Sequence, residues 1–238
     1  DSTKGWIPTN DIANALTPSP PPTQRAVFAY GVRSSSVQNM SNLVNSSGVM
    51  ASDVTGVGTA RWAPMATTYG GDKGIFAFGY TGSGGSMINT RNLVNNVGVI
   101  AADATGAGQT RMAGSAATYG GIAAGTAIFG FGDLSGNGTG ITNLVNSSGV
   151  VAADTAEVGS IRYGVAAVGY GTDKAAFAYG VNAHVSSSHL SMKNLVGTNG
   201  VVASDVSGVG TARSFLDAAS YDLDKGAFAY GYTGSDVS

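Results

Sequence analysis

The sequence predicts an all-β fold, a β-propeller built from four-stranded units of about 50 residues, and three observations carry that prediction. A 20-residue block recurs four times without gaps: NLVNSSGVMASDVTGVGTAR (42–61), NLVNNVGVIAADATGAGQTR (92–111), NLVNSSGVVAADTAEVGSIR (143–162) and NLVGTNGVVASDVSGVGTAR (194–213). Nine of its twenty columns are identical in all copies, and the steps between Arg61, Arg111, Arg162 and Arg213 are 50, 51 and 51 residues. A second block recurs five times, as AVFAYG (26–31), GIFAFG (74–79), AIFGFG (127–132), AAFAYG (175–180) and GAFAYG (226–231). Composition opposes the alternative: Gly supplies 37 of 238 residues and Glu157 is the only glutamate. Helices lean on Glu, Lys, Ala and Leu and tolerate Gly poorly.

Taken in order, residues 1–16 read as an N-terminal anchor segment. Thr9-Asn10-Asp11 is suited to cap a short helical turn reaching Leu16. Four prolines in TPSPPPT (17–23) favour an extended spacer, so 17–24 is a linker and 25–238 the repeat domain. Within each unit the AVFAYG-type strand places Phe28 and Tyr30 on one face and Val27, Ala29 and Gly31 on the other. A strand such as ATTYG (66–70) precedes it through a tight two-residue turn at Gly71-Asp72, with Thr172-Asp173 and Leu223-Asp224 at the same point. A variable polar loop, a strand at MSNLVN and a fourth at GVMASD follow. Four short strands per unit is the pattern of a propeller blade.

The order Arg, then A-x-Y-G-x-D-K-x-x-F-x-(Y/F)-G, resembles a kelch-type propeller repeat over residues 25–238. The chain departs from that pattern at the glycine doublet, which is Gly31-Val32, Gly79-Tyr80 and Gly132-Asp133, and it lacks the outer-strand Trp. The glycine-rich style is also similar to repeats in structural and fibre proteins of tailed phages. The aromatic–glycine strand occurs five times and the other three strands four times each, so both ends are incomplete; five blades are favoured over four.

Charge and composition exclude several functions. Twelve basic against 14 acidic residues give a net charge of −2 with no basic run, which leaves no footprint for nucleic acid. There is no cysteine for disulfides, thiol catalysis or a Cys-ligated zinc site. The chain has no apolar run near the ~20 residues that span a bilayer, so no membrane insertion is expected. A start at Asp1 suggests a processed chain or an excerpt of a longer one. The two histidines, His184 and His189, share the loop VNAHVSSSH and are expected to be solvent-exposed. No cofactor, no metal and no enzymatic activity are expected.

Two sets of residues stand out. Asp53, Asp103, Asp154 and Asp205 each precede Arg61, Arg111, Arg162 and Arg213 by eight positions. Four identical copies suit a structural ring: Asp closing a turn through its own backbone, Arg bridging adjacent blades. Variation within the constant frame points instead to binding. The residue after each Arg is Trp62, Met112, Tyr163 or Ser214, and the loop after the aromatic strand changes in every unit. Trp62, Met112 and Tyr163, with Arg33, His184 and His189 in those loops, are therefore the candidate ligand-binding residues.

The expectation is a non-catalytic phage virion protein, of the tail, fibre or capsid surface, presenting its propeller to a host-surface glycan or protein. Residues 1–16 would dock on other virion proteins. Near-identical units that can exchange strands make a homo-oligomer expected. An extracellular carbohydrate-binding lectin and an intracellular kelch-type adaptor are the alternatives.

Overall fold

The computed structural model describes residues 25–182, 188–222 and 224–234. The anchor 1–16, the spacer 17–24 and His184 lie outside these residues. The described chain is all-β, organised as small antiparallel sheets with no helix among the described residues.

Five units follow one another. The first is a hairpin of β1 (Ala26–Arg33) and β2 (Ser36–Val44). The second is a sheet of β3 (Met65–Tyr69), β4 (Lys73–Ala77) and β5 (Arg91–Val94), in that order. The third contains β6 (Ser115–Tyr119), β7 (Thr126–Gly130), a small hairpin of β8 (Asp133–Leu134) and β9 (Asn137–Gly138), and β10 (Thr142–Val145). The fourth repeats this with β11 (Ala166–Tyr170), β12 (Lys174–Ala178), β13 (Val181–Asn182), β14 (Ser188–His189) and β15 (Lys193–Val196). The fifth is the hairpin of β16 (Asp217–Tyr221) and β17 (Lys225–Ala229). The first strands of units two to five, β3, β6, β11 and β16, pack side by side in chain order.

Three local expectations are corrected. The hairpin turn has three residues, not two: Tyr69 pairs with Lys73 and Tyr170 with Lys174. Gly70 and Gly71 take φ of +61° and +81°, conformations open to glycine, and the extra residue lets Gly70 N–H reach Gly125 O in the next unit at 2.8 Å. The fourth segment of each unit pairs only through isolated bridges such as Val94–Ile100 and Arg91–Ala104. The Asn92 side chain donates to Ala101 O and Asp103 there, so a side chain supplies bonds that a continuous ladder would have made. Finally, the two aromatics of each aromatic–glycine strand do not share a neighbour. Phe76 packs against Tyr30 of the preceding unit, at 5.3 Å between ring centroids, whereas Phe78 packs against Phe129 of the following one at 5.5 Å. The alternation breaks because the second aromatic is left-handed (Phe78 φ +64°, Phe131 +60°, Tyr179 +61°), and in β1 the register slips between Ala29 and Gly31. Each unit thereby offers one ring to each neighbour.

The core is the sequence of these junctions. Phe78, Phe129, Ile75, Met65 and Val145 form one buried cluster, and Phe131, Phe177, Ile128 and Val196 the next. Between units, each buried arginine lies over the second aromatic of the preceding unit: Arg61 over Tyr30 at 3.9 Å, Arg111 over Phe78 at 4.0 Å, Arg162 over Phe131 at 4.1 Å. Its Nη2 donates to the Oδ1 of Asn92, Asn143 or Asn194 at 2.7, 2.6 and 2.5 Å. Each asparagine in turn donates to Asp103, Asp154 or Asp205 at 2.9 Å. That aspartate closes the circuit by accepting the backbone N–H of Thr59, Gln109 or Ser160, two residues before the arginine. The aspartates thus receive the preceding unit's link instead of closing a turn on themselves, and Asn92, Asn143 and Asn194 are the middle members of the relay.

The relay sets a pH dependence. Burial alone pushes the Asp103 and Asp205 carboxyls up. Hydrogen bonds from Thr59 and Asn92, or Ser160 and Asn194, and the adjacent arginine more than offset this and hold both below the usual carboxylate range. A folded-state pKa below the unfolded one contributes stability that is present above about pH 4 and lost as pH falls through the folded value. Unfolding measured from pH 6 downward is expected to show a loss of stability below about pH 4. The Asp103→Asn, Asp205→Asn double variant is expected to flatten that loss, and an unchanged slope would contradict the assignment.

Candidate binding groove

The residues following the repeated arginines are held by the start of the variable loop in their own unit. Trp62 and Tyr80 exchange two backbone hydrogen bonds of 3.0 Å, and Met112 with Asp133, Tyr163 with Val181 and Ser214 with Tyr232 are paired in the same way. The next residue in each link is left-handed: φ is +48° at Ala63, +52° at Ala113, +61° at Gly164 and +51° at Phe215. This turn aims the backbone across the units. Ala113 N–H donates to Ala63 O (3.2 Å), Gly164 N–H to Ala113 O (2.7 Å) and Phe215 N–H to Gly164 O (2.8 Å). A row of bonds therefore ties four links together where the first strands β3, β6, β11 and β16 begin.

Along this row lies a groove of about 750 Å³, bordered by Trp62, Met112, Tyr163, Phe215, Asp133 and Asp217 among others. Trp62 is 39% exposed with its ring edge-on to Tyr80 at 6.3 Å. Tyr163 and Phe215 form a second edge-on pair at 5.9 Å, and Phe215 is exposed. Asp133 is buried and accepts the Gly136 N–H at 2.6 Å; burial pushes its carboxyl up against the opposing pull of the Gly136 and Asn137 amides. No Lys, Arg or His occurs among the described lining residues. Chemically the groove offers apolar ring faces beside hydrogen-bond acceptors.

The structure brings together Trp62, Met112 and Tyr163 from three units and separates the other loop candidates from them. Arg33 pairs with Ser36 at the exposed tip of the β1–β2 hairpin. His189 is half-buried, with Nδ1 3.1 Å from Ser214 Oγ and its ring edge-on to Tyr232 at 5.5 Å, so the expectation of a solvent-exposed histidine is corrected: unit five packs over it. Phe215, Asp133 and Asp217 were not singled out from sequence. Their signal is departure from the repeat. Phe215 stands where other units have Ala63, Ala113 and Gly164, and Asp133 where they have Tyr80, Val181 and Tyr232. Among the described residues no cluster of three or more metal-ligating side chains occurs. No protein-family model matches the chain, and no curated protein matches it at a significant level of sequence similarity.

Proposed function

We propose that this chain is a non-catalytic attachment module, a kelch-like β-propeller whose groove binds a neutral carbohydrate. The observation that carries the reading is convergence: three residues that vary at one column of otherwise constant units, Trp62, Met112 and Tyr163, meet in one groove with Phe215, Asp133 and Asp217, giving aromatic faces for sugar rings and carboxylate acceptors for hydroxyls. The propeller assignment is supported by inner strands that lie side by side, each at the edge of its own sheet. A groove with carboxylates and no lining cation disfavours anionic ligands. The glycine-rich repeat style supports placing the module on a virion surface, where it would meet a host glycan while residues 1–16 engage other virion proteins.

The test is a panel of neutral and acidic oligosaccharides. A neutral member is expected to bind, and Trp62→Ala or Tyr163→Ala is expected to weaken it by up to about ten-fold, the upper end of what one aromatic contact contributes beyond area burial. Arg33→Ala is expected to leave binding unchanged. A panel without any binding removes the carbohydrate reading.

A further inference from the structure

Each internal junction has a donor half and an acceptor half. At the first, Arg61 and Thr59 are the donors, and Asn92 with Asp103 the acceptors. One half of each kind is left over. In unit one, Asn42 Nδ2 donates to Asp53 Oδ1 at 2.8 Å and to Ala51 O at 3.1 Å, the same internal arrangement as the other asparagines. Among the described residues no arginine reaches Asn42 Oδ1. At the other end, Arg213 lies 4.4 Å over Tyr179 with its Nη2 3.4 Å from Phe228 O, and among the described residues no asparagine accepts from it. Among the described residues β17 likewise has no Asn-Leu-Val strand of the kind that β4, β7 and β12 each pair with. An apolar side chain matches this pattern: Met50, in the segment that follows β2, is 57% exposed, whereas its equivalent Ile100 is 7%.

We propose that the two halves join between two copies of the chain, β2 and residues 50–54 of one copy completing the β16–β17 sheet of another. The register is already fixed. β2 sets Asn42 opposite Phe28 on β1, as β5 sets Asn92 opposite Phe76 on β4, so Phe228 of β17 takes the same place. In this exchange β17 (GAFAYG) replaces β1 (AVFAYG) on β2 with equivalent backbone bonds, and the Arg213–Asn42–Asp53 relay with Thr211 is gained. The reverse trade, β1 displacing β17 from β16, is blocked: a Cβ at Gly226 would stand 2.6 Å from Val168 Cγ1, and β1 carries Ala26 there. Among the described residues no backbone hydrogen bond links β1 or β2 to β16 or β17, and the occupant we infer is a second copy because β2 with Asn42 and Asp53 carries the side chains and register that the edge of β17 and Arg213 call for. The groove takes no part in this contact, so the inference stands apart from the carbohydrate reading.

The experiment is the native mass of the 238-residue chain over a wide concentration range, beside Asp53→Arg and Arg213→Ala. The chain is expected to form a reciprocal dimer or a longer assembly. Asp53→Arg, at an exposed position of unit one, is expected to weaken association by roughly 30-fold or more, as loss of one partner of a buried charged hydrogen bond does. Asp53→Asn is the milder companion if charge reversal unfolds the chain. A concentration-independent monomer overturns the proposal, and so does an assembly of unchanged affinity in all the folded variants.

Discussion

Arg111→Ala is expected to destabilise the fold by about 3–5 kcal/mol, the range for removing one member of a buried charged network. Arg111 is fully buried. Burial pushes its guanidinium down to about 10, so it remains charged at neutral pH. What offsets that cost is a full set of partners: Asn143 Oδ1 at 2.6 Å, Phe131 O at 3.0 Å, the Phe78 ring at 4.0 Å and Asp154 at 3.8 Å. Deleting the arginine leaves the Asn143 carbonyl buried without its donor and Asp154 without its cation. For a chain of this size each kcal/mol moves the midpoint by about 2–4 °C, so a fall of roughly 6 °C or more is expected. Lysine should recover little, since its single ammonium cannot lie flat on Phe78 while donating to both Asn143 and Phe131. A loss below about 1 kcal/mol would mean that the arginine is interchangeable packing.

Phe129→Ala is expected to cost about 3–5 kcal/mol, the range for emptying a buried aromatic site. Its ring is fully buried against Phe78 in the cluster that joins units two and three. The repeat supplies an internal control. Phe28 occupies the same position in unit one but is 58% exposed, so Phe28→Ala is expected to change monomer stability by less than about 1 kcal/mol. Urea unfolding of the two variants side by side checks this. Equal losses would show that position in the repeat, and not burial at a junction, sets the energy.

What could be read from sequence was whatever the repeat states twice. The period gives the units, the Gly-rich and Glu-poor composition gives β structure, and the recurring Arg and Asp mark a shared structural part. Partners across units were not legible, because spacing along the chain does not say which neighbour a side chain meets. Asp103 precedes Arg111 by eight residues, yet it accepts from Thr59 of the link before it. Alternation along AVFAYG placed both aromatics on one face; the left-handed backbone at the second aromatic sends them to opposite neighbours. For the groove, comparison of units found Trp62, Met112 and Tyr163 because they vary at one conspicuous column. It missed Phe215 and Asp133, which differ at columns where the other units have Ala or Gly and Tyr or Val.

The most direct test of a constant frame carrying a variable binding groove is amide chemical-shift mapping with the tightest-binding neutral saccharide of the panel. Shifts concentrated at 62–66, 112–116, 163–167 and 215–218, with little change at Asn92, Asn143 and Asn194, are the predicted result. Shifts centred on the Arg33 hairpin or on the three-residue turns at 70–72 and 171–173 would contradict it.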